Sequence, residues 1–223
     1  EPGIKRALLD AARQSGAKVT PAELGRETKK ILGAREIRAT LDAIRATGSE
    51  AEYFAVDIRD ASSIGEALST IRSTWGAVTG IVHGAGVLAD KLIADKSEEE
   101  WQRVFQTKVD GLRALLEATS EDPITMISMF SSVAARGGNR GQCDYAMANE
   151  VLNKVAAFEA ARRGESCTVK SFNWGPWQGG MVTPALEAHF AALGVPVIPL
   201  NVGAQMFVHE LQQSSQSRVE VVM

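Results

Sequence analysis

From residue 51 onward, short, mostly apolar runs alternate with amphipathic stretches of helical length, and this alternation leaves few folds open. The runs are "AEYFAVDI", "AVTGIVHGAG", "PITMISMFSS", "CTVKSFNWG" and "SRVEVVM". Strands buried on both faces read as near-continuous apolar segments, and strand–helix alternation builds a parallel sheet covered by helices on both faces. The predicted class is therefore α/β, doubly wound. The helices expected between the runs are "SSIGEALSTIRSTWG", "SEEEWQRVFQTKVDGLRALLEAT" capped by Ser97, about Asp144 to Arg163, "TPALEAHFAALG" and "NVGAQMFVHELQQ". In the third of these, Val151, Leu152, Val155 and Phe158 form the expected buried stripe. Residues 1–49 read as a helical insertion or linker. Thr20 is placed as an N-cap, Pro21 at the first helical position and Glu23 for a capping box; Ile37, Leu41 and Ile44 keep helical spacing, and Gly48 is a stop. Residues 50–223 form the sheet region.

At 223 residues and 45% hydrophobic, the chain can bury one sizeable core. A net charge of −3 gives no electrostatic basis for nucleic acid or an anionic membrane as partner. No apolar run approaches the roughly 20 residues that span a bilayer, and no signal sequence opens the chain, so a cytoplasmic location is expected. Cys143 and Cys167 are too few for a disulfide framework, and with His83, His189 and His209 scattered, no metal site is expected. The start, "EPGIKRALL", is what a fragment or processed piece would show.

Ligands of such sheets bind at the carboxyl ends of the strands, which directs attention to Asp57, to "HGAG" (83–86), to "FSS" (130–132) and to "NWGPW" (173–177). Ser132 ends one run, Tyr145 opens the next helix, and Asn149 follows four residues later on the same helix face. A hydroxyl and a phenol brought together there could share one carbonyl oxygen, the serine holding it and the tyrosine giving it a proton while a cofactor delivers hydride. A free tyrosine, with a pKa of about 10, is a sluggish acid–base group near neutrality and needs a nearby cation. Lys108, in the middle of the preceding helix, is the candidate. Taken singly, each residue has an ordinary structural explanation: a strand cap, a half-buried aromatic, a solvated lysine, a helix-surface amide. It is their arrangement that points to a site.

Ser132, Tyr145 and the helix that follows resemble the active-site signature of the short-chain dehydrogenase/reductase superfamily. Asn149 stands where most members have lysine, and a lysine, Lys108, lies instead in "TKVDG". That exchange resembles the ketoreductase domains of type I polyketide synthases and multidomain fatty-acid synthases. The similarity extends through "HGAGVLAD", "FSSVAARGGNRGQCDYAMAN" and "NWGPWQGGMV", over roughly residues 50–223, and "NWGPWQGGMVTPAL" is similar to the reductases of polyunsaturated-fatty-acid-type and iterative synthases. The resemblance implies a Rossmann-like sheet and NADPH-dependent reduction of a 3-ketoacyl group carried on the phosphopantetheine arm of an acyl carrier protein, beside other synthase domains. It implies Lys108, Ser132, Tyr145 and Asn149 as catalytic residues. It places the adenine at Asp57 and Ile58, the adenosine ribose against Gly84, Ala85 and Gly86, and the nicotinamide carboxamide at Pro176 and Trp177, with Tyr145 and Lys108 completing the cofactor contacts. The helix from about Pro184 to Leu193 would be a lid. Leu88 and Asp90 match the family's Leu-x-Asp signature for a B-type, D-configured product, with Gln142 also facing substrate. The tryptophan that marks the opposite outcome is replaced by Gly137.

Two departures from the family set further expectations. No Gly-rich turn leads from a first strand onto a helix to cradle the pyrophosphate, and the second strand, with its basic residue for the 2′-phosphate, is absent too. The first two strands of the 3-2-1-4-5 order are thus expected to be missing, which would leave a gap in the sheet to be filled by another segment or chain; activity of this chain alone is doubtful. A catalytically silent, structural reductase-like domain is the alternative reading.

Overall fold

Capping chemistry sets the limits of the first helices. The computed structural model describes residues 1–213 and 218–223, which divide into two units, Glu1–Ala55 and Val56–Met223. In the first unit, α1 (Pro2–Ser15) closes at Gly16, where φ is 69°, a conformation that favours glycine. Then α2 (Pro21–Ala46) opens with the expected capping box: Glu23 N–H donates to Thr20 Oγ1 (3.2 Å) and Thr20 N–H to Glu23 Oε2 (2.8 Å). The stretch from the Thr20 cap to the Gly48 stop is thus one continuous helix. The sequence reading did not include α1, although proline and glycine bracket it in the usual order.

The second unit begins with α3 (Ala61–Trp75), where the Asp60 carboxylate accepts from the N–H groups of Ser62 and Ser63. Next come β1 (Gly80–His83), α4 (Glu98–Ala118), β2 (Met126–Ser132), α5 (Ala134–Gly137), α6 (Cys143–Arg163), β3 (Thr168–Trp174), α7 (Pro184–Ala192), α8 (Leu200–Gln212) and β4 (Glu220–Val222). Ser217, where the last strand was expected to start, lies outside the described residues. The strands pair in parallel in the order β1-β2-β3-β4. This is the predicted Rossmann-like α/β layer.

Two expectations are corrected. "AEYFAVDI" forms no strand: residues 51–58 have no ladder partner, and an isolated apolar run cannot satisfy its backbone N–H and C=O groups as a strand. Nor is there a gap within the sheet. The described sheet is continuous and ends at β1, with Val82 51% exposed.

Side-chain alternation along the strands separates two cores. Ile127 and Met129 of β2, with Ile81 and Val169, pack under Leu112 of α4 and Leu152 and Ala156 of α6. Phe130, on the opposite face, joins Phe172, Trp174 and Val221 against Met206, Phe207 and Leu211 of α8. On α6, Leu152 is fully buried as expected, whereas Phe158 is 64% exposed. That helix packs against the sheet and α4 along one side only, and Phe158 falls outside the stripe.

Two outcomes are expected. Gly203, in α8, faces the Trp177 indole so closely that a Cβ would lie 2.4 Å from Cη2. Alanine there gains up to about 1 kcal/mol in helix propensity, but overpacking costs about 1–3 kcal/mol. Gly203→Ala should therefore lower the thermal midpoint; an unchanged or raised midpoint would show that the indole yields freely. His83, almost fully buried, donates Nε2–H to Lys108 O (2.9 Å), and burial, helped by the Lys108 charge, pushes its pKa down to about 4. The unfolded chain then binds more protons than the folded one between about pH 4 and 6.5. This contribution to stability is complete above pH 6.5 and declines on acidification, by on the order of 3 kcal/mol at pH 4. His83→Gln should flatten denaturant-measured stability across that window; an unchanged slope would refute the assignment.

Candidate active site

Ser132 and Ser131 end β2 with different fates. Ser131 is enclosed, its hydroxyl 3.0 Å from both Asn149 O and Asn173 Oδ1. Ser132 lies at the strand's exit, where its Oγ accepts from Ala134 N–H at the start of α5 (3.2 Å). Tyr145 sits in the first turn of α6. One turn later the Asn149 side chain donates Nδ2–H to Tyr145 O (2.8 Å), while its Oδ1 is buried without a protein partner. Lys108, buried on α4, donates from Nζ to Phe130 O (2.9 Å), and Nζ stands 5.6 Å from the centre of the Tyr145 ring. The four residues singled out as catalytic are thus brought together.

Burial dominates their electrostatics. It pushes Lys108 down to about 8. It raises the Tyr145 phenol above its ordinary value; the side chains of Ser132 and Asn149 pull the other way, and the Asp90 carboxylate adds a smaller upward push. Lys108 therefore meets the face of the tyrosine ring while anchored to a strand carbonyl. At neutral pH the arrangement holds a protonated phenol, a hydroxyl and a cation around one space, and can stabilise an oxygen and give it a proton.

The remaining residues of interest fall at the strand ends and loops. Asp57 lies in a turn rather than at a strand end; it is exposed and gripped by Arg59 (Oδ2–Nη2 2.6 Å), which holds its carboxyl at about 2. Ile58 packs against α4 at Gly111, where a Cβ would come within 2.9 Å of its Cγ1. Gly84 and Ala85 follow β1, and at Gly86 a Cβ would lie 3.1 Å from Lys108 Cε, so the bare backbone there leaves room for the lysine. Pro176 O accepts from Ile198 N–H (2.7 Å), and the Trp177 ring is edge-on to Trp174 within the α8-side core. Its indole is committed to packing. Gln142 Nε2–H donates to Asp90 Oδ2 (2.8 Å) beside half-buried Leu88, and Lys91 N–H donates to Gly141 O (3.0 Å). Gly137 ends α5, and α7 has no buried residue. His83, Lys96 and Asp144 were missed as site neighbours. The Lys96–Asp144 contact spans 48 residues and leaves no local pattern. Among the described residues no group of ligating side chains could hold a metal ion, and no helix is long and apolar enough to cross a membrane.

A family model described as KR domain matches residues 7–179. The chain is 41% identical over 219 residues to a subunit of the polyunsaturated fatty acid synthase of a Thraustochytrium species, covering 98% of this chain and 8% of that protein. It is 32% identical over 185 residues to erythronolide synthase EryA2 of Saccharopolyspora erythraea, covering 82% of this chain and 5% of that protein. It therefore spans less than a tenth of these relatives. Among solved structures, a ketoreductase domain from the bacillaene assembly line is 31% identical with a TM-score of 0.74, covering 83% of this chain and 45% of that one. A short-chain dehydrogenase from Burkholderia cenocepacia in complex with NADP reaches the same TM-score at 16% identity, covering 85% of this chain and 82% of that one, and shares the fold.

Proposed function

Since the chain belongs to the KR-domain family, ketoreductases of the short-chain dehydrogenase/reductase superfamily, we propose that it reduces a 3-ketoacyl thioester to the 3-hydroxyacyl thioester within a multidomain synthase. The observation that supports this most is the convergence of Tyr145, Ser132, Asn149 and Lys108 from three elements around one space. A silent structural domain would give no reason for that convergence. The ketone would arrive on the phosphopantetheine arm of an acyl carrier protein, beside other synthase domains. We read residues 50–223 as the reducing region and residues 1–49 as an insertion.

The cofactor of this reading is NADPH, which when bound supplies hydride to the carbonyl carbon. The residues at the reacting end suit a nicotinamide: Asn149 Oδ1 is a buried acceptor with no protein partner, and Gly86 keeps the backbone bare beside Lys108. Gly84, Ala85, Gly86 and the backbone of Pro176 and Trp177 would hold the ribose and carboxamide, with Asp57 and Ile58 at the adenine. No residue of this chain is assigned to the phosphates. Ser132 holds the carbonyl oxygen through its hydroxyl, and Tyr145 gives that oxygen its phenolic proton, completing the alcohol. The Lys108 cation offsets the negative charge left on the phenolate. Leu88, Asp90 and Gln142 line the approach and favour the D-configured alcohol.

Two measurements test this reading in the complete polypeptide. Tyr145→Phe removes the proton donor and should lower the reduction rate by roughly 10²–10⁴ while NADPH affinity stays near wild type; turnover at the wild-type rate overturns the assignment. In the pH profile, the Lys108 ammonium is charged below about 8 and neutral above it, whereas Tyr145, raised, stays protonated throughout. The rate should be flat at neutral pH and fall as pH rises through about 8. Lys108→Met should be slow at every pH and lack that falling limb; a limb that persists would assign it to another group.

A further inference from the structure

Lys96 and Asp144 form an ion pair of 2.7 Å with side chains only 2% and 1% exposed. Neither has a role in the reduction chemistry, and each is placed against a segment that does. Asp144 immediately precedes Tyr145, and its Oδ1 accepts the Tyr145 backbone N–H (2.9 Å) while its Oδ2 takes the lysine. Lys96 immediately precedes Ser97, the cap of the helix that carries Lys108, and also donates to Ala89 O (2.5 Å), between Leu88 and Asp90. One buried ammonium thus ties together the loop after Gly86, the start of α4 and the start of α6.

An enclosed pair of this kind is weak evidence for stability, because an apolar pair of similar volume often does as well. What it does fix is geometry: the ammonium is satisfied only when Ala89 O and Asp144 Oδ2 are both in reach. The other ties across the same seam, Gln142 to Asp90 and Lys91 N–H to Gly141 O, lie nearer solvent. We propose that Lys96 and Asp144 are positioning residues that set the loop carrying Leu88–Asp90 in register with Tyr145, and so fix the face from which the ketone reaches the phenol. The proposal rests on the reductase reading given above.

The test is the enantiomer ratio of the alcohol formed from a 3-ketobutyryl thioester by the complete polypeptide with NADPH. A ratio is independent of how many molecules are folded, so destabilisation alone would not move it. Asp144→Asn keeps the volume and the bond from Tyr145 N–H but removes the charge that holds Lys96. It should lower the ratio by about tenfold and raise the ketone KM, since small misplacements of a reacting group are costly, with NADPH affinity unchanged. Lys96→Met with Asp144→Leu, an apolar replacement without an orphaned charge, should lower the ratio likewise. Lys96→Arg, which retains charge and reach, should keep it near wild type. An unchanged ratio in the folded Asp144→Asn protein overturns the proposal, as does an equal loss in Lys96→Arg, which would indicate packing alone. A wild-type protein that reduces the ketone without preference also overturns it and leaves the reductase reading standing. A wild-type protein that reduces no ketone removes both.

Discussion

The seven-pair parallel ladder between β2 and β3 is the constraint on which the rest depends. Because side chains alternate strictly along a strand, register decides which of two adjacent serines turns toward α6 and which toward the opposite face. In the register from Met126↔Thr168 to Ser132↔Trp174, Ser131 falls on the α6 side with Ile127 and Met129 and binds Asn149 O and Asn173 Oδ1. Ser132 then closes the strand where the chain turns into α5. A slip of one residue would turn the reactive hydroxyl toward α6 and away from the side it now faces, and bring Phe130 under α6.

Several polar side chains in the dry interior around that register are paired with one another. Asn173 is the hub: its Oδ1 lies 3.0 Å from the Ser131 hydroxyl and accepts from Asn153 Nδ2 (3.0 Å), and its Nδ2 donates to Glu220 Oε1 (3.0 Å). Ser171 Oγ donates to Asn153 Oδ1 (2.7 Å). Arg136, in the short helix after Ser132, pairs with Glu220 of β4 and with Glu150 of α6. The turn that presents Ser132 is thereby held from the sheet's far edge and from the helix that carries Tyr145.

Most of this framework was legible in the sequence because it is written in local patterns. The capping box at Thr20, the cap at Ser97, the glycine stops and the apolar runs at 80–83, 126–132 and 168–174 each depend on residues a few positions apart. Ser132, Tyr145, Asn149 and Lys108 stood out by strand end and helix position, and their arrangement, resembling a known signature, marked them as one site. What could not be read depends on partners distant in the chain. "AEYFAVDI" has strand composition, but a strand also needs a neighbour, and composition does not supply one. The His83 contact to the Lys108 carbonyl and the Lys96–Asp144 pair follow from packing. Phe158 shows the converse error: helical spacing names a face, and the depth of the groove that receives it decides where the buried stripe ends.

The exchange of lysine and asparagine between α4 and α6 has a structural consequence. A lysine one turn after Tyr145 would share a helix with the phenol and keep its distance by helical geometry alone. Here the cation comes from α4 and is fixed to Phe130 O on β2, two residues before Ser132, so charge and hydroxyl are registered to the same strand. Asn149 keeps the α6 position neutral, its Nδ2 used on Tyr145 O and its Oδ1 free to accept. The relation of cation to phenol then depends on how α4 seats against the sheet and α6. Gly111 on α4 admits Ile58 at van der Waals range, and Leu112 enters the core beside Leu152. Close packing of this kind fixes α4 to within fractions of an ångström, since voids and overlaps both cost energy. The burial that lowers the Lys108 pKa is thus the same burial that holds its ammonium against the tyrosine ring.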